Sequence, residues 1–148
     1  MGLWKDMKEP VLLEDHAGPV PDAPPGVSVD RNIERAEKLM GGLTVTNPQI
    51  VAMSEMLRLF PSGHEMDYKK GGDQYRDFGN FNYGAVGTAM GLSPDLLHGG
   101  AGVQQMRDKR WSPEYGIPFW SGKHGDNDQD YQQIENGIRH YHARRKAR

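Results

Sequence analysis

Asp67 and Lys69 stand two residues apart in the run Asp67-Tyr68-Lys69. In an extended segment, side chains two apart share a face; on a helix they diverge. A carboxylate and an ammonium on one face could bind and polarise a substrate, the lysine lowering the carboxylate pKa. Asp67 would then act as base or nucleophile, and Lys69 as electrostatic stabiliser. A surface salt bridge is the competing reading. Further along, Phe78-Gly79-Asn80-Phe81-Asn82-Tyr83-Gly84 sets two amides and a phenol among glycines that let a ligand come close. Asn80, Asn82 and Tyr83 would suit an oxyanion, or the amide and sugar groups of a substrate. Alternatively, the asparagines satisfy their own backbone in a turn. Tyr75, Gln104 and Gln105 are further substrate-binding candidates, or simply half-buried hydrogen-bonding residues.

Asp126, Asp128 and Asp130 form an acidic cluster beside His124. Asp126 and Asp128 are candidates for a general acid or base opposite Asp67. The alternative is helix capping by Asp128, with the other acids favoured by the helix dipole. The spacing superficially matches the start of a calcium loop. However, Tyr131 stands where that loop needs glycine and Gly137 where it needs glutamate, so an EF-hand is rejected. His140 and His142, two apart on a helix, face different ways and make poor co-ligands. With no cysteine, no thiolate can ligate zinc or attack a substrate. No His-Glu-x-x-His, Walker loop or Gly-x-Ser-x-Gly turn occurs. No metal site or cofactor is expected.

The elements that must position these residues read as helices. Asp30 caps the first, in which Ile33, Ala36 and Met40 recur at helical spacing before Gly41-Gly42. Residues 43–46 are the one β-like run. Asn47-Pro48 starts a second helix whose buried face is predicted to be Ile50, Met53, Leu57 and Phe60. Residues 73–78 form a short helix. Gly84, Gly87 and Gly91 then fall on one face, which implies a closely packed second helix or a ligand near the backbone. Ser93-Pro94-Asp95 caps a short helix that Gly99-Gly100 breaks, and residues 101–110 are helical again. Residues 111–127 read as a loop carrying Trp111, Tyr115 and Trp120. Asp128 opens the last helix, with Tyr131, Ile134, Ile138 and Tyr141 as its buried stripe. Prolines punctuate residues 1–27, which read as a linker or tether. Residues 28–148 form one mainly α domain of short helices and long glycine-, proline- and aromatic-rich loops, with little or no β.

Composition narrows the functional classes. Of 148 residues, 36% are hydrophobic, so the core is modest. Eighteen basic against 20 acidic side chains give a net charge of -2. That lacks the basic excess of a general nucleic-acid binder, although a local patch would suffice. The N-terminal residues lack the apolar stretch of a signal peptide, and no run is long enough to insert stably in a membrane.

The stretch from Asp67 to Gly87, with its Asp-Tyr-Lys element and Phe-Gly-Asn-Phe-Asn-Tyr-Gly-Ala block, resembles the bacterial toxin 44 family of polymorphic toxin modules. Looser correspondences extend the likeness over residues 64–142: Ala101-Gly102 with Gln104 or Gln105, Trp111 or Trp120, Gly125-Asp126-Asn127-Asp128, and Gly137-Ile138 with Tyr141. Met66 stands where the family often has Trp. The resemblance implies a C-terminal toxin module delivered into a target bacterium by a secretion-system carrier protein and neutralised by a cognate immunity protein. It does not supply the reaction. The residues themselves favour a hydrolase of the cell envelope, acting on peptidoglycan in the periplasm through paired carboxylates. A metal-independent ribonuclease in the target cytosol and a non-enzymatic binding module are the alternatives.

Overall fold

The computed structural model describes residues 19–107 and 128–147. Within them the chain forms α1 (Val29–Gly41), α2 (Pro48–Leu59), α3 (Arg76–Ala89), α4 (Pro94–Arg107) and α5 (Asp128–Lys146). Two 3₁₀ turns, Tyr68–Gly71 and Asp73–Tyr75, lead into α3. Residues 43–46 are irregular, and no strand occurs among the described residues. The architecture is mainly α, as composition and spacing predict.

Local chemistry explains most helix starts. Ser28, rather than Asp30, caps α1: its hydroxyl accepts from the Arg31 amide at 3.2 Å. Asp30 sits inside the first turn, where its charge favours the helix dipole. Pro48 occupies the first turn of α2, where its missing N–H costs nothing. The Ser93 hydroxyl accepts from the Leu96 amide at 3.2 Å and so caps α4. Contrary to the break expected at Gly99-Gly100, α4 continues through both glycines. Packing accounts for at least one of them. A Cβ on Gly100 would lie 2.9 Å from the Tyr83 hydroxyl, so α3 and α4 approach through that gap. Close contact of this kind can offset the roughly 1 kcal/mol helix penalty of a glycine.

Helix α3 is the hub. One apolar cluster includes Met56, Leu59, Met66, Val86, Leu97 and Ile134; another includes Val29, Ile33, Phe78, Phe81, Ala85 and Tyr141. Ala23 and Val27, from the end of the expected linker, pack against the second cluster. Glycine lets α3 and α5 meet backbone to backbone. A Cβ on Gly84 would fall 2.2 Å from the Ile134 carbonyl oxygen, and one on Gly137 would fall 1.9 Å from that of Phe81. Gly87 makes room for Leu97 and Met56, while Gly91 turns the chain after α3 with φ near 90°. Helix packing is thus the reason for the glycine face at residues 84 and 87.

Helix α2 departs from the predicted orientation. Ala52, Met56 and Leu59 are its buried residues, whereas Ile50, Met53 and Leu57 are 61%, 46% and 65% exposed. The helix is apolar on two faces, and periodicity alone could not choose between them. The face with small Ala52 lies against the bundle.

Candidate functional site

A pocket of about 330 Å³ opens between α2, the 3₁₀ segment, α3 and α4, and it gathers several of the predicted residues. Asp67, Lys69, Asn80, Tyr83 and Gln104 line it. Two side chains from the first turns of their helices, Arg76 and Asp130, join them. Its apolar lining comes mainly from α2 and α4 and their ends, with Met53, Leu57, Phe60, Leu96 and Val103 among others. The volume lies at the small end of the range for ligand pockets, about 300–1,000 Å³.

Asp67 is 9% exposed and precedes the first 3₁₀ turn. Its Oδ2 accepts from the Gly63 amide at 2.7 Å, which pins the carboxylate to the end of the α2 connection. The backbone around it is a succession of tight turns: the Asp67 amide donates to the His64 carbonyl, and the Lys70 amide donates to the Asp67 carbonyl. Lys70 turns back to donate from Nζ to the His64 carbonyl at 2.8 Å, leaving Lys69 as the lysine of this pair that reaches the pocket.

Behind Asp67 lies a buried amide network. Asn32 of α1 donates to the Tyr68 hydroxyl at 3.0 Å and to Asn82 Oδ1 at 2.9 Å. Asn82 in turn donates to the Met66 sulfur at 3.5 Å. Met66 and Tyr68 flank Asp67, so this network holds the acid's segment against α1 and α3. Asn82 is fully buried and does not line the pocket. Its place is structural support, not substrate contact. Asn80 and Asn82 lie on a helix instead of in a turn, and two residues along a helix turn them apart. Burial raises the Tyr68 phenol above its usual pKa, against the opposing hydrogen bond from Asn32.

Among the described residues of the acidic cluster, Asp130 reaches the pocket, and it is 4% exposed. Arg76 grips it with two bonds, Nε to Oδ1 at 3.0 Å and an Nη to Oδ2 at 2.6 Å. Asn80 adds a third bond, to Oδ1, at 2.9 Å. Such a two-pronged guanidinium–carboxylate pair is strong and directional. It also ties α3 to α5. Asp128 lies in the first turn of α5, exposed and outside the pocket, and Asp126 lies outside the described residues.

Tyr83 donates to the Leu97 carbonyl at 2.5 Å and meets Phe60 edge to face, with ring centroids 5.1 Å apart. Gln104 reaches toward the Ser62 hydroxyl at 3.4 Å. Tyr75 ends the second 3₁₀ turn, close to Gly71, and does not line the pocket. The side chain of Gln105, together with Trp111, Tyr115, Trp120 and His124, lies outside the described residues.

Residues 44–143 match the family model for bacterial toxin 44. The chain belongs to the bacterial toxin 44 family. No curated protein and no solved structure matches this toxin. The family match spans α2 through most of α5 and so contains the whole pocket. No helix among the toxin's described residues is long and apolar enough to cross a membrane. Arg76 and Asp130 are the site residues that sequence reasoning missed as a pair. They stand 54 positions apart, and only the α3–α5 crossing unites them.

Proposed function

We propose that the pocket is the active site of a hydrolase that cleaves glycan of the bacterial cell envelope, with peptidoglycan chemistry as the target. The observation that carries this reading is a pair of nearly buried carboxylates, Asp67 and Asp130, opening on one pocket. Paired carboxylates are the usual equipment for glycosidic cleavage. In the reaction the bond between the anomeric carbon and the bridging oxygen breaks. Water supplies a hydroxyl to the carbon and, by way of Asp67, a proton to the departing oxygen. Asp130, fixed by Arg76 and Asn80, presents negative charge to the ring as positive charge develops there. Lys69 orients the Asp67 side of the substrate, and Tyr83 and Gln104 offer hydroxyl and amide contacts to the sugar.

The charges around the site also favour a glycan. Asp67 and Asp130 balance Lys69 and Arg76, which leaves no excess positive charge for a phosphate chain. A metal-independent ribonuclease would draw on histidine for proton transfer. Among the described residues no histidine lines the pocket, and His64, His98 and His140 are engaged by Arg58, Glu135 and Asp30 respectively. Delivery by a carrier into the target periplasm, and neutralisation by a cognate immunity protein, complete the proposal. The test is directed expression of the domain. Killing with a periplasmic leader, abolished by Asp67→Asn, supports it. Equal killing from the cytosol with loss of RNA contradicts it.

A further inference from the structure

The pocket is amphipathic, and its apolar wall does not end at the rim. Met53 and Leu57 line it yet are 46% and 65% exposed, and Val103 on α4 is 37% exposed. Ile50, one turn from Met53 on the same face of α2, extends the strip to 61% exposure. This face is the surplus apolar side of a two-faced helix, and side chains of this size are not needed for solubility. The same cavity takes Asp67, Lys69, Arg76, Asn80 and Asp130 from the 3₁₀ segment, α3 and α5, whereas its apolar lining comes mainly from α2 and α4. Formal charge there balances, so the matching head is uncharged and rich in hydroxyls instead of anionic. At about 330 Å³ the cavity has room for little more than such a head, so an attached chain must leave along Met53, Leu57 and Val103.

From this continuity we infer that the toxin's ligand is an amphiphile: a neutral sugar head joined to an apolar chain without a phosphate link, that is, an uncharged glycolipid at the membrane surface. The inference rests on the proposed function for the identity of the head. The chain's path rests on the exposed strip alone.

Alkyl maltosides test it directly, with hexyl, octyl and decyl chains titrated below their micelle-forming concentrations into the intact domain. Binding should tighten with chain length, toward the limit of about fourfold per methylene set by full transfer out of water. Met53→Glu and Leu57→Glu, at exposed positions, should each weaken decyl maltoside at least tenfold and erase most of the chain-length dependence. Circular dichroism and the melting temperature should stay unchanged. Val45→Glu, exposed but outside the pocket, should bind like the wild type. Chain-length-independent binding overturns the inference, as does tightening that survives both glutamate substitutions. A wild-type dimer that dissociates on Leu57→Glu would also overturn it, by assigning the strip to a second copy. The two readings fail separately. Killing by Asp67→Asn would sink the catalytic reading and leave the maltoside series untouched; a flat maltoside series would leave Asp67 in place.

Discussion

Two glycines of α3 should respond to alanine with opposite signs. Gly84 faces α5 so closely that a Cβ would fall 2.2 Å from the Ile134 carbonyl oxygen and 3.0 Å from its carbonyl carbon. Ordinary carbon contacts lie near 3.5–4.0 Å, so more than an ångström of separation is needed. The obstructing atoms are backbone and cannot rotate aside. The cost should therefore reach the top of the overpacking range, about 3 kcal/mol. Alanine's helix preference returns about 1 kcal/mol, which leaves Gly84→Ala destabilised by about 2 kcal/mol. Gly79 lies on the same helix, yet a Cβ there meets nothing within 4 Å. Gly79→Ala should gain up to about 1 kcal/mol from the same preference. Urea unfolding followed by circular dichroism measures both. The wild-type midpoint should fall between the two variants at constant slope. In melting, Gly84→Ala should lie about 4–8 °C below the wild type. If both alanines shift stability in the same direction, the close α3–α5 crossing is wrong.

Other substitutions probe the site and its supports. Asp130→Ala strips Arg76 and Asn80 of their shared acceptor; with Arg76 31% exposed, the loss should be about 2–3 kcal/mol by urea unfolding, and killing should cease. Burial raises the folded-state pKa of both Tyr68 and Tyr141, the latter helped by Glu37. Their contribution is therefore full below the unfolded phenol value, near 10, and is lost as pH rises through the raised folded values. Tyr68→Phe should show a shallower alkaline loss of melting temperature than the wild type. The hydrogen bond from Arg35 lowers the Glu65 carboxyl, so that pair's contribution is present above about pH 4.5 and fades as pH falls through the lowered value. Both partners are about half exposed, so Glu65→Gln should cost under about 1 kcal/mol at pH 7, a difference that shrinks in high salt.

The mainly α class was legible because capping and proline signals at Asn47-Pro48 and Ser93-Pro94 are local. Asp67, Lys69, Asn80, Tyr83 and Gln104 were singled out by residue type, and the fold brings these five to one pocket. What sequence reasoning missed depended on distance or direction. Arg76 and Asp130 meet only through a helix crossing, and no local pattern marks the pair. Asn82 looked equivalent to Asn80 until helical geometry sent one to the interior and the other to the cleft. The α2 stripe was misassigned because two apolar faces compete on one helix, and only packing decides which is covered. At Gly99-Gly100, tertiary contact overrode a local breaking signal.

The most direct test is to incubate the purified domain with whole cell envelopes, sacculi and membranes together, and with total RNA, and to identify the products by mass. The wild type should release glycan fragments that have each gained one water at a glycosidic bond, while Asp67→Asn releases none and RNA stays intact. Untouched envelope glycan beside degraded RNA, or fragments still released by Asp67→Asn, would contradict the assignment of the pocket.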